Sequence, residues 1–229
     1  MTLLEFARGP ALQWSITIFL VGVLWRLLGI LLLRTKKDLS EPRNPAAWKG
    51  LRLIALRSWP RREFLGGTAF GEVMGYAFHI GFLLTLFFYA PHVLFFADVA
   101  RGLIGTDLQG LTGFAWPTLP NGIVTLLAAI SIAALVAVLI HRLVNPVKRL
   151  ISNFDDYFSW FVTVTPLVTG LAAFAHFAGW PYERLLAYHL LSVELLLVWF
   201  PFGKLMHAFT IFAARGATGL IFERRGASL

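Results

Sequence analysis

The chain reads as an all-α integral membrane protein, a five-transmembrane-helix bundle with its N-terminus outside and its C-terminus cytoplasmic. Three observations predict this. Of 229 residues, 58% are hydrophobic and only 14% charged, against about 25% charged in a typical soluble domain. The apolar residues fall in long uncharged runs. The basic residues gather on one side of the resulting spans. With a mean hydropathy of +0.72, a soluble globule of this size could not hide so much apolar surface from water.

Each span needs about 20 mostly apolar residues. The first lies at roughly 11–33, an uncharged run broken by Arg26. The N-terminus lacks a basic leader and a small-residue cleavage site, so this helix is expected to stay in the mature protein. The second lies at 71–98. The third lies at 121–143, after a loop that carries Trp116, Pro117 and Pro120. The fourth covers 156–179, and the fifth 185–213, with Glu194 inside it. Together residues 1–229 form a single membrane domain, and 34–70 a basic cytoplasmic connection.

Lys and Arg number nine in 34–63, three in 141–156 and four from 204 onward, sixteen of the 20 in all. By the positive-inside rule that side is cytoplasmic. The net charge of +8 is thereby explained by topology and lipid headgroups, and nucleic acid is not the expected partner. In the long connection Trp48, Leu51, Leu53, Ile54, Leu56 and Trp59 alternate with Lys49, Arg52 and Arg57. That stretch is amphipathic, and lies in the interface, docks a cytoplasmic partner or is a plain solvated loop.

There is no cysteine. Disulfides, thiolate catalysis and Cys-held iron–sulfur clusters are excluded, and histidine becomes the leading ligand type. His79 falls near the cytoplasmic end of the second span and His92 near its outer end. His189 is outer and His207 inner on the fifth. Two antiparallel helices then offer two imidazoles each at matching depths. Paired as His79 with His207 and His92 with His189, they supply both axial positions of two b-type haems. Filled axial positions leave no site for oxygen, so the chemistry is electron transfer.

On a continuous helix His189 and His207, 18 residues apart, are five full turns and about 27 Å apart on one face. His79 and His92 differ by 13 residues, about 19.5 Å and 220° of rotation. Pro91 is expected to kink the helix between them. The competing reading of each histidine is a helix–helix hydrogen bond.

Other residues have paired readings. Gly81 (with Gly75) admits a haem face or close helix packing. Arg26 meets a haem propionate or snorkels, and Lys204 snorkels. Tyr89, Arg101, His176, Tyr188 and Glu194 are the candidates for a quinone site, against aromatic-belt or packing roles. His141 reads as an interfacial side chain.

The fifth-span motif, His189-Leu190 through Phe200-Pro201-Phe202-Gly203-Lys204-Leu205-Met206-His207, resembles the gamma subunit of membrane-bound respiratory nitrate reductase. Phe78-His79-Ile80-Gly81, Trp25-Arg26, and Arg142-Leu143 with Pro146, Arg149 and Asp156 resemble further segments of that family. The resemblance implies five spans, two bis-His b haems, quinol oxidation near the outer haem and delivery of electrons to a cytoplasmic iron–sulfur subunit. It implies His79 and His207 as inner and His92 and His189 as outer ligands. The second-span pair stands farther apart here than in that subunit, and Arg101 is the only cation where the family places a lysine. Gamma-like cytochromes of heterodisulfide-reductase-like and sulfur-metabolising complexes fit at least as well. The expected setting is multi-pass in a bacterial or archaeal cytoplasmic membrane. The rival expectations are a haem-free proton-coupled transporter and a purely structural anchor.

Overall fold

A computed structural model of the chain describes residues 1–33, 39–44, 47–56, 58, 63 and 65–227. Among them every regular element is helical and no strand is present. Five helices are long and apolar enough to cross a membrane: Leu3–Leu31, Gly66–Phe88, Asn121–Val144, Phe154–Phe174 and Lys204–Arg225.

The first begins with a capped turn. Thr2 accepts the Glu5 backbone N–H, and the Thr2 backbone N–H donates to Glu5 in return. A π-turn over Ala7–Ala11 absorbs Pro10 with a kink at Gly9. Helix α1 then runs Leu12–Leu31.

The expected second span is two helices. α2 covers Leu65–Phe88 and α3 Ala90–Ile104. The break falls at Tyr89, whose backbone is extended (φ −77°, ψ 126°), two residues before the proline expected to cause it. Pro91 cannot donate to the Phe87 carbonyl and its ring would clash there, so α2 stops at Phe88. Pro91 instead sits in the first turn of α3, where a missing N–H costs nothing. The freed Phe88 carbonyl accepts the Leu119 N–H at 2.8 Å.

α4 spans Asn121–Val144 and α5 Phe154–Phe174, close to expectation. The fifth span is also broken. α6 covers Tyr182–Trp199 and α7 His207–Arg225, with the turn Phe200–Gly203 and a 3₁₀ turn Lys204–Met206 between them. The single-helix arithmetic for His189 and His207 therefore does not apply, and the last helix runs to Arg225 instead of ending near 213.

The chain divides into two compact units. One comprises 1–69, 153–163 and 187–229, the other 70–152 and 164–186.

In the first unit, Gly22 of α1 lies against Pro201, and Phe19, Phe200 and Phe209 form a ring cluster with centroids 5.4–6.0 Å apart. The amphipathic stretch is docked on α7. Gly50 and Gly219 meet backbone to backbone, with no room for a Cβ on either. Leu51 and Ile54 fill the notch at Gly216, and Leu53 is 2% exposed. Glu223 accepts from Asn44 (2.8 Å) and Arg52 (3.0 Å), and the Arg224 carbonyl accepts the Arg43 N–H. Arg34, Lys36, Lys37, Arg57, Trp59, Arg61 and Arg62 lie outside the described residues.

This contact constrains the crossings. Hydrogen-bonded segments cannot sit on opposite sides of a bilayer, so residues 40–56 share a side with the end of α7. The chain between them must cross an even number of times.

In the second unit, α2 packs closely on α4. Ser131 donates to Leu127 (2.8 Å) and reaches the Phe78 carbonyl at 3.4 Å. His141 at the end of α4 stands edge-on to Phe70 (4.6 Å) and 3.2 Å from Lys148 Nζ.

Candidate functional site

Three of the four candidate ligand histidines share one hydrogen-bonding habit. His79 Nδ1 lies 2.7 Å from the Gly75 carbonyl, His92 Nδ1 3.1 Å from Thr85, and His207 Nδ1 2.8 Å from Lys204. A carbonyl only accepts, so each Nδ1 carries the proton. The neutral ring then has its lone pair on Nε2, the nitrogen through which imidazole takes a metal. Ligating histidines are commonly held this way.

Local folding explains the two bonds at the breaks. Ending α2 at Phe88 orphans the carbonyls of its last turn. Thr85 is one of them, and the His92 ring, carried around by the break at Tyr89, reaches back seven residues to it. His207 opens α7, and its ring bonds the carbonyl at the start of the preceding 3₁₀ turn. The other two histidines behave differently. His141 Nδ1 faces an ammonium, a donor, and so accepts. His176 has a left-handed backbone (φ 48°) and stacks on Tyr182, centroids 5.5 Å apart.

His79 and His92 belong to one compact unit, His189 and His207 to the other. His92 is backed by Tyr89, edge-on at 5.1 Å, and Tyr89 in turn meets Phe174 at 6.3 Å. Gly81 is in contact with α4: a Cβ there would strike Ser131 and the Leu127 oxygen at 2.8 Å. Close helix packing, one of its two sequence readings, is what the structure shows for it. At Gly75 a Cβ would meet nothing within 4 Å.

The turn between α6 and α7 is tied to the start of α5. Asp155 Oδ1 accepts from Ser159 (2.6 Å) and from the Lys204 backbone N–H (3.1 Å). Trp199 Nε1 donates to Ser159 at 2.9 Å. Gly203 fits under Trp199 and Asp155, with 2.9 Å to the carboxylate for an added Cβ. Lys204 pairs with Asp156 at 2.6 Å instead of snorkelling. Asp155, Ser159 and Trp199 went unnoticed in the sequence because the bonds that tie α5 to the turn join residues 40 and 49 apart. They fix the chain just before His207.

Of the quinone-site candidates, Arg101 is engaged by Asp98 (2.8 Å) and Asp107 (2.5 Å). Asp107 also caps the helix Leu108–Thr112 through the Gly110 N–H. That N–H, with the Arg101 guanidinium beside it, holds the Asp107 carboxyl below its ordinary value. Tyr188 is exposed. Glu194 is 5% exposed, and its Oε1 has no hydrogen-bond partner among the described residues. Arg26 lines a cleft of about 550 Å³ with Trp14, Ile18, Val21, Trp25 and Phe202.

Among the described residues no group of three or more His, Asp and Glu side chains converges to hold a metal ion. Bis-imidazole ligation of haem iron takes two.

No family model matches the chain, and no solved structure matches it. A protein of Nitratidesulfovibrio vulgaris Hildenborough, described simply as "Protein", is 29% identical over 97% of this chain and 96% of its own length.

Proposed function

We propose that the chain is the membrane-anchoring dihaem cytochrome b subunit of a respiratory oxidoreductase, exchanging electrons between the quinone pool and a cytoplasmic iron–sulfur subunit. The observation that carries this reading is the shared Nδ1–H to carbonyl bond of His79, His92 and His207. It sets the tautomer that presents Nε2 as a ligand, and all three of these histidines are ones that the sequence assigns to iron. His79 with His207 would hold the inner haem, and His92 with His189 the outer one. When bound, the two groups supply one-electron transfer across the bilayer.

The chain's own residues prepare those positions. The breaks at Tyr89 and at Phe200–Gly203 re-aim His92 and His207. The Asp155–Ser159–Trp199 network keeps the second break rigid. Tyr89, His176, Tyr188 and Glu194 are the candidates to receive the quinone. Arg101, already clasped by two carboxylates, holds the outer connection instead.

Ligand variants test the pairing. His92→Ala and His207→Ala should each lose one haem, and not the same one, while His141→Ala should lose neither. A His92 or His207 variant that keeps both haems overturns the assignment. One observation favours a second reading, a haem-free proton-coupled transporter: the buried carboxyl of Glu194 with an unbonded oxygen. A colourless wild-type protein whose proton flux is abolished by Glu194→Gln would select it.

A further inference from the structure

We infer that the cleft between α1 and the turn after α6 is a site for one anionic glycerophospholipid, its phosphate on Arg26 and one acyl chain along the helix. Trp14, Ile18, Val21 and Trp25 line it at intervals of four, three and four residues, which is one stripe of an α-helix. Phe202 and Pro201 form the opposite wall, and the contact of Gly22 with Pro201 closes the floor.

Depth matches a single leaflet. The helix Leu3–Leu31 has its midpoint at residue 17. Arg26 is nine residues beyond, about 13.5 Å along the axis, and the hydrocarbon half-thickness is about 15 Å. Trp14 thus stands near the midplane, and Arg26 within reach of the headgroups.

Charge chooses the headgroup. Among the described residues no carboxylate pairs with Arg26, and an unneutralised guanidinium on a spanning helix is costly. The two non-bridging oxygens of a lipid phosphodiester can accept the forked N–H donors of the planar guanidinium. The deep wall is aliphatic and aromatic, and the Thr17 hydroxyl is already bonded to the Gln13 carbonyl. That surface suits an acyl chain better than the carbonyl-bearing ring of a quinone.

Native mass spectrometry of the full-length protein tests this, after exchange into mixed micelles of phosphatidylglycerol and phosphatidylcholine with matched acyl chains. One phosphatidylglycerol should be retained per chain with a preference of about five- to tenfold. Arg26→Gln should abolish the preference, Arg26→Lys should keep most of it, and Val21→Trp should lower retention of both lipids by filling the cleft. Arg26 and Val21 are exposed, so these variants should fold. Equal retention of the two lipids by the wild type, an unchanged preference in Arg26→Gln, unchanged retention in Val21→Trp, or displacement of the lipid by an isoprenoid quinone would each overturn the proposal.

Discussion

Gly203 and Asp155 show how much a single position controls near a candidate ligand. Adding a Cβ at Gly203 pushes it into Asp155 and the Trp199 indole. Gly203→Ala is expected to destabilise the protein by about 1–3 kcal/mol, read as a lowered midpoint of denaturant unfolding in detergent. Asp155→Ala leaves the Lys204 N–H and the Ser159 hydroxyl without their acceptor, at a similar cost of about 1–3 kcal/mol. In the turn after α3, the depressed Asp107 carboxyl sets a pH dependence. Its ionised form is favoured by folding, so the clasp is complete above the ordinary Asp value of about 3.9 and is lost as pH falls through the lower folded value. Exchange protection of the Gly110 amide should hold through the ordinary Asp range and collapse below it. In Asp107→Asn that transition should vanish. At this scale the sequence was partly legible. The helix that carries or adjoins each histidine could be read, because the helices follow the apolar runs. The partner of Lys204 could not, because its ion pair with Asp156 joins residues 48 apart.

Helix limits were legible where hydropathy alone decides them. α4 has no charge before His141 and no proline inside it, and its observed bounds differ from the expected ones by one residue. The spans that carry the histidines were not, because both stay apolar across their breaks. A hydropathy count does not register that Pro91 and Pro201 each remove a backbone donor. The prolines were the available signal, and for the second span it placed the break two residues too late. The amphipathic stretch was visible as a pattern, but its docking depends on Gly50 and Gly219, whose value lies in having no side chain. Gly219→Val should therefore detach the 47–56 stretch from α7. Trypsin cleavage after Lys49 and Arg52 should speed up by about tenfold or more, with cleavage in the outer connection unchanged. An unaltered digest would show that the backbone contact is not what holds the stretch.

Across the whole molecule, five helices are long and apolar enough to cross a membrane, and residues 40–56 share a side with the end of α7, to which they are bonded. The side itself rests on the distribution of Lys and Arg. Absence of cysteine makes this directly testable, since any introduced thiol is unique. A membrane-impermeant maleimide applied to intact cells should label a cysteine placed at Phe114 and leave one placed at Trp48 or Gly226 unlabelled until the membrane is opened. Labelling at Trp48 and Gly226 must agree in any case, because their segments are bonded to each other. In the proposed function, four imidazoles serve two irons. The most direct measurement is the haem content of purified wild-type protein, by reduced-minus-oxidised spectrum and pyridine haemochrome. Two b-type haems per chain are predicted, and a colourless protein purified from haem-replete cells would contradict the proposed function.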